Sequence, residues 1–329
     1  MIIVTGGAGF IGSALVGELF DQGYKDIIVV DSSEDFKNCP NLRPYKERLS
    51  GCFSAWEFLE DKKAKLFYSK ISSIFHMGAC SSTTEKDLEF LRRNNVEYSQ
   101  KIFNLAVELN VPLIYASSAA TYGNGDEGYS DDHSLLDSLK PLNPYGDSKQ
   151  VFDIWALAQE KKPPFWCGLK FFNVYGPNEY HKGEMRSLVH KAFHQINERG
   201  FVGLFKSYKE PYRDGEQLRD FVYVKDVVKA MILMLKNGDP TYCGVYNLGT
   251  GKARSFLDLV RAVFYALEKD PKVEFIDMPD SIRNQYQYFT EAKMDKFHAF
   301  LPEFKFSSLE EGVNDYVSHH LVQADPYYS

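Results

Sequence analysis

Tyr145 and Lys149 stand four residues apart, and Val151, Phe152, Ile154, Trp155 and Leu157 continue a helical pattern behind them. Residues at that spacing share a helix face, so the phenol and the ammonium meet. A neighbouring ammonium lowers the cost of forming a phenolate, and the lysine can also bind ribose hydroxyls of a dinucleotide. The phenolate can take the proton of a substrate hydroxyl while hydride leaves the carbon. Upstream, residues 111–116 read as a strand running into Ser117, Ser118 and Thr121. A hydroxyl such as Ser118 at a strand's end is placed for the same chemistry. The bland alternatives are a solvated helix face and a polar turn.

These side chains need a scaffold, and the first thirty-one residues supply its pattern. Residues 2–5 are an apolar, β-branched run, and Gly6, Gly7, Gly9 and Gly12 follow. Ile11, Leu15, Val16 and Leu19 then recur at helical spacing, and residues 27–31 read as a second strand ending in Asp31. A strand, a glycine turn, a helix and an acid-tipped strand form half of a mononucleotide-binding unit. Gly6 permits the tight turn, Gly9 lets backbone approach a pyrophosphate, and Gly12 lets helix and sheet pack closely. With Phe10 and Ile11 they open a helix whose free N–H groups attract anionic ligands. Asp31 suits ribose hydroxyls and favours NAD. Lys37 can meet a 2′-phosphate or be a solvated surface lysine, and Ser32 can donate a compensating hydrogen bond. Residues 73–80 read as another strand ending in the small residues Gly78, Ala79 and Cys80, the end that faces cofactor in a doubly wound sheet. His76 within it reads as packed against the sheet. Residues 88–110 read as a helix carrying Asn95, a candidate cofactor-binding residue whose amide, if buried, ties neighbouring loops together.

The motifs TGGAGFIGS (5–13), GACSSTTE (78–85), YASSAATYG (115–123) and NPYGDSK (143–149) continue with FFNVYGPNEYHKG (171–183), GEQLRDFVYVKDV (215–227), YNLGTGKARSF (246–256) and YQYFTEAK (286–293). In this order they identify the chain as a member of the extended short-chain dehydrogenase/reductases of the nucleotide-sugar epimerase type. Within that family it resembles enzymes acting at C6″ of an ADP-linked manno-heptose in lipopolysaccharide inner-core precursor synthesis. The resemblance implies NADP as cofactor, with NAD the alternative, and a cytoplasmic homo-oligomer, pentameric in some relatives. It implies that Asn173 and Tyr286 hold substrate, that Arg219 grips the diphosphate, and that Lys182 is a second base. The residues alone leave Lys182 as a surface lysine, Tyr286 as a core aromatic, and Arg219 in a salt bridge with Asp220. Met77 stands where close relatives often carry Glu, and the loop from Ser118 to Tyr145 is longer than usual.

The expected fold is a doubly wound parallel α/β sheet (Rossmann) with a smaller α/β substrate domain. Residues 1–170 form the dinucleotide-binding part, with segments near 216–250 and 290–305 returning to it. Residues 171–215, 251–289 and 306–329 belong mainly to the substrate part. Net charge is −7, which argues against nucleic-acid or anionic-membrane partners. The five cysteines are scattered without metal-like pairing, and His190 and His194 lack a companion Glu motif, so no metal is expected. No run of about eighteen apolar residues suggests a membrane span. The first strand starts next to Met1, where no signal peptide is expected. Segment 32–50, with Pro40 and Pro44, reads as irregular. Competing functions are another NAD(P)-dependent nucleotide-sugar epimerase or dehydratase, and a non-catalytic dinucleotide sensor. The first lacks support from the Ala119-Ala120 pair after Ser118, where a 4,6-dehydratase commonly carries two acid/base carboxylates. The second leaves Ser118, Tyr145 and Lys149 without a purpose.

Overall fold

The computed structural model describes residues 1–32, 39–283 and 286–328; Lys37 lies outside the described residues. The strands in chain order are β1 (Ile2–Thr5), β2 (Ile27–Asp31), β3 (Gly51–Ser54), β4 (Ser73–His76), β5 (Leu113–Ser118), β6 (Trp166–Phe171), β7 (Asn173–Tyr175), β8 (Val202–Phe205), β9 (Leu218–Tyr223), β10 (Gly244–Leu248), β11 (Ala253–Ser255) and β12 (Val273–Ile276). Seven of them form one parallel sheet in the order β10-β6-β5-β4-β1-β2-β3. This is the expected doubly wound arrangement, and it reverses direction between β1 and β4. At such a switch point the loops leaving adjacent strands part and open a crevice.

The strand composition follows from burial on both faces. In β1, Ile2 and Val4 pack into one apolar cluster and Ile3 into another. In β2, Ile27 and Val29 join the first cluster while Ile28 and Val30 join the second. The first cluster lies against the helix Phe10–Asp21, and the second against the helices Tyr98–Leu109 and Pro144–Ala158.

β7, β9 and β11 form a second sheet, and β8 pairs with β12 in a third. β10 returns to the edge of the large sheet beside β6. β3 is an edge strand that sequence patterning does not announce, because its four residues are only partly buried. Segment 40–48, expected to be irregular, is a 3-10 helix with Pro40 at its first position, where the missing N–H is harmless. The helix expected over 88–110 contains a π-helical segment, Arg92–Glu97, which turns Asn95 inward to full burial. Among the described residues, no helix is long and apolar enough to cross a membrane.

At the switch point, Gly6 has φ +64°, and a Cβ there would lie 2.6 Å from the Gly78 nitrogen. A Cβ on Gly12 would lie 2.0 Å from the Gly6 carbonyl oxygen. The first helix can therefore meet the turn only without a side chain at position 12. Gly12→Ala should displace the turn, lowering stability by about 1–3 kcal/mol as overpacking does. It should also weaken dinucleotide binding, as measured by thermal unfolding and cofactor titration. Unchanged values in both would show that the contact is dispensable.

Candidate active site

The glycine turn forms one wall of a cavity of about 1280 Å³. Gly6, Gly9, Phe10, Ile11 and Gly12 line it beside Asp31 and Ser32, and Gly78, Ala79 and Cys80 face them across the β1–β4 gap. A Cβ on Gly9 would meet only the Gly6 carbonyl, at 3.2 Å, so this backbone is open to the cavity. The helix beginning at Phe10 has no side-chain cap, which leaves its first N–H groups available to an anion. An open glycine backbone at an uncapped helix N-terminus fits a pyrophosphate. Asp31 is already engaged by its neighbours. Its Oδ2 accepts from the Ala8 N–H at 2.9 Å and its Oδ1 from the Ser32 N–H at 2.7 Å. The acid thus braces the glycine turn as well as facing the cavity.

Asn95, expected to bind cofactor, does not line the cavity, because its amide is taken up by Cys80 and Ser148. It stands behind the Gly78–Cys80 loop, accepting from the Cys80 N–H (2.8 Å) and donating to the Cys80 carbonyl (3.1 Å) and to Ser148 Oγ (3.0 Å). The tie expected from its amide is present, and it joins this loop to the helix carrying Tyr145. His76 is packed as expected. Its ring nitrogens bond Thr5 Oγ1 (2.6 Å) and Ser99 Oγ (2.8 Å), and burial pushes its pKa down to about 3.

Ser118, Tyr145 and Lys149 line the same cavity. Ser118 ends β5, and its Oγ accepts from the Ala120 N–H at 3.1 Å. Tyr145 sits in the first turn of its helix, which begins after Asn143, whose side chain accepts from the Gly146 N–H at 2.9 Å. Burial raises the Tyr145 pKa, and the neighbouring Ser118 hydroxyl opposes that rise. The relief expected from Lys149 is taken over by Ser118, because the Lys149 ammonium donates to the Ala116 carbonyl at 2.9 Å. Burial holds Lys149 down at about 8, opposed chiefly by Asp153.

Asn173 and Lys182 also line the cavity. Lys182 occupies the 3-10 segment Tyr180–Met185, half-buried rather than freely solvated, with Nζ 5.2 Å from the Phe10 ring centroid. Burial lowers its pKa, and Glu179 opposes that. Three residues to which the sequence assigned no role of their own hold this segment, two of them within the motif at 171–183. The Asn41 amide donates to the Ala8 carbonyl (3.0 Å) and the Asn178 carbonyl (3.1 Å), joining the glycine turn to the Lys182 segment. Asn178, at φ +76°, donates to Ser13 Oγ and accepts from the Tyr328 N–H. Glu179 is fully buried and accepts from the Ser187 hydroxyl at 2.6 Å.

Arg219 and Tyr286 do not line the cavity but lie together beside it. The guanidinium sits between the rings of Tyr286 (5.3 Å) and Phe256 (5.4 Å), and Phe256 does line the cavity. Arg219 donates to the Leu218 and Gln287 carbonyls. The alternative salt bridge with Asp220 is not formed, because Asp220 accepts from the Thr250, Gly251 and Ala292 N–H groups.

Residues 2–249 match the profile of the NAD dependent epimerase/dehydratase family. The chain is 50% identical over 335 residues to the ADP-L-glycero-D-manno-heptose-6-epimerase of Fusobacterium nucleatum, covering 99% of this chain and 100% of that protein. It is 48% identical over 332 residues to the enzyme of the same name from Nitratidesulfovibrio vulgaris, covering 99% and 100%. Among solved structures, the Helicobacter pylori ADP-L-glycero-D-manno-heptose-6-epimerase superposes with a TM-score of 0.77 at 29% identity, covering 97% of this chain and 95% of that one.

Proposed function

This chain belongs to the NAD dependent epimerase/dehydratase family, and we propose that it inverts C6″ of ADP-D-glycero-β-D-manno-heptose to give the L-glycero epimer. The relatives named for that reaction match the chain over nearly its whole length. The observation that carries the reading is that the Ser118–Tyr145 hydroxyl pair and the glycine turn line one cavity. The same proposal includes a cytoplasmic homo-oligomer serving lipopolysaccharide inner-core precursor synthesis.

The cofactor is a nicotinamide dinucleotide, and NADP is the form proposed. The turn at Gly6–Gly12 and the uncapped helix start at Phe10 would hold its pyrophosphate, and Lys149 its ribose hydroxyls. Asp31 opposes a 2′-phosphate by charge, but both its oxygens are occupied by backbone N–H groups. When bound, the nicotinamide supplies reversible hydride exchange, so C6″ can pass through a 6″-ketone and be rebuilt on its other face.

Ser118 orients the C6″ oxygen, and Tyr145 moves its proton within hydrogen-bond reach. Protonated Lys149 binds the cofactor ribose hydroxyls, while Ser118 opposes the rise that burial imposes on the Tyr145 pKa. Asn173 holds the sugar. Arg219, with Tyr286, grips the diphosphate through its planar fork. If the exocyclic group turns between the two transfers, its oxygen moves beyond the reach of one fixed base. Lys182 then serves the second position, and its burial favours the neutral, proton-accepting form.

Tyr145→Phe should lower turnover by about 100-fold or more with the fold and cofactor occupancy intact. Lys149 loses its proton as pH rises, so wild-type turnover should decline through about pH 8. A product assay with stereochemical analysis reads both effects, and near-normal Tyr145→Phe turnover would remove the residue from the mechanism.

The dinucleotide extracted from purified protein should be NADP; recovery of NAD alone would overturn that assignment.

Lys182→Met should abolish steady-state epimerisation while impairing single-turnover redox change of the bound cofactor mainly with one epimer. Equal, near-wild-type rates with both epimers would leave Lys182 outside the chemistry.

A further inference from the structure

Beneath the cavity lies a charged network that the reaction does not touch directly. Asp153 and Lys170 are both fully buried, and the Lys170 ammonium meets Asp153 Oδ2 at 2.9 Å. The same oxygen accepts from Ser117 Oγ at 2.7 Å, and Oδ1 accepts from the Tyr115 hydroxyl at 3.0 Å. Lys170 also donates to Thr121 Oγ1 at 2.6 Å, and the Thr121 hydroxyl donates to the Ser118 carbonyl at 2.9 Å. The Tyr122 ring lies 5.2 Å from the ammonium.

The partners of this network are the last residues of β5. Ala116 is held through its carbonyl by Lys149, Ser117 through its hydroxyl by Asp153, and Ser118 through its carbonyl by Thr121. Asp153 also stands four residues after Lys149, as Lys149 does after Tyr145, so all three share one helix face. A buried ion pair contributes little net stability compared with a well-packed apolar pair. Its cost is reasonable if it sets geometry and charge for something else.

We propose that Asp153, balanced by Lys170, is the positioning residue of the active site: it fixes the strand end that presents Ser118 and supplies the negative charge facing Lys149. The inference rests on the catalytic reading of Ser118, Tyr145 and Lys149. Asp153 opposes the lowering of the Lys149 pKa that burial imposes. The other groups facing Lys149 are the Cys80 thiol from the loop after β4 and the neutral His76 ring from β4. Facing Asp153 beyond its bonded partners are Tyr122, His133 and Tyr145, whose pKa the Asp153 charge helps to raise. Without Asp153, Lys149 loses its opposing carboxylate and gives up its proton at lower pH.

The test uses Asp153→Asn combined with Lys170→Met, which removes both buried charges and strands neither. Three quantities are read: thermal unfolding, Lys149 titration by trace acetic-anhydride labelling with peptide mass analysis, and the pH profile of turnover. The labelling needs no turnover, so it stands even if Tyr145→Phe disproves the catalytic reading. The double variant should unfold near the wild-type temperature, while its Lys149 titrates about one pH unit lower and the alkaline decline of turnover moves with it. Wild-type Lys149 titration in a folded double variant would overturn the proposal and leave the pair as packing alone. Lys170→Met by itself gives the opposite sign: with Asp153 freed of its partner, Lys149 should titrate higher, and an unchanged value would again overturn the proposal. Thr121→Val, nearly isosteric, cuts the link to the Ser118 carbonyl together with the bond that Thr121 Oγ1 accepts from Lys170, and leaves the Asp153–Lys170 pair in place. It should lower kcat about tenfold with KM unchanged, the loss expected when a catalytic group is misplaced. Wild-type kcat would refute the positioning of Ser118. If the double variant fails to fold, Lys170→Met decides the charge facing Lys149 through its titration, and Thr121→Val decides the positioning of Ser118 through kcat.

Discussion

The close approach of two backbones at the centre of the sheet constrains everything else. β1 and β4 run side by side, and their outgoing turns touch at Gly6 and Gly78 with no space for a side chain. From that contact the chain diverges to opposite faces of the sheet, and the divergence creates the crevice. The first helix must reach into it N-terminus first, so Gly12 packs directly on the Gly6 carbonyl. The cofactor wall of the cavity is therefore a consequence of backbone packing, and Asp31 and Asn95 serve it largely by bracing its two loops.

Three lysines around this crevice illustrate how burial grades one functional group. Lys170 is fully buried and stays paired, because an unpaired charge there would be prohibitive. Lys149 is buried against a carbonyl, with Asp153 offsetting part of the desolvation, and is held near the pH at which it can exchange its proton. Lys182 is half-buried over an aromatic ring, with Glu179 beneath its segment, and is shifted in the same direction. The differences arise from position and from the nearest carboxylate, since the side chain is the same in all three.

The Lys182 segment is also mechanically joined to the cofactor wall. Asn41 bonds the carbonyls of both Ala8 and Asn178, and Asn178 reaches Ser13 of the first helix. Tyr328 closes the arrangement by donating its N–H to Asn178 and its hydroxyl to Glu18. The side chains proposed to act on substrate and the turn proposed to hold cofactor thus share one hydrogen-bonded frame.

The sequence by itself determined what depends on local spacing. Unbroken apolar, β-branched runs predicted β1 and β2, the glycine turn predicted the helix start at Phe10, and the four-residue step predicted that Tyr145 and Lys149 share a face. The ordered motifs specified the family. Tertiary structure decided whatever depends on residues distant in the chain. Lys149 turns to Ala116, so Ser118 takes over the relief of Tyr145. Asp220 is occupied by backbone N–H groups, so Arg219 lies between two rings instead of in an ion pair. The π-helical segment turns Asn95 away from the cavity, and β3 becomes a strand only because β2 offers it an edge. Asp153 could be placed beside Lys149 by counting residues, but its pairing with Lys170 could not, because only the packing of β6 against β5 brings the two charges together. Local periodicity records which face a residue occupies; the partner it meets there is set by burial, where each polar group must find whatever donor or acceptor the fold delivers.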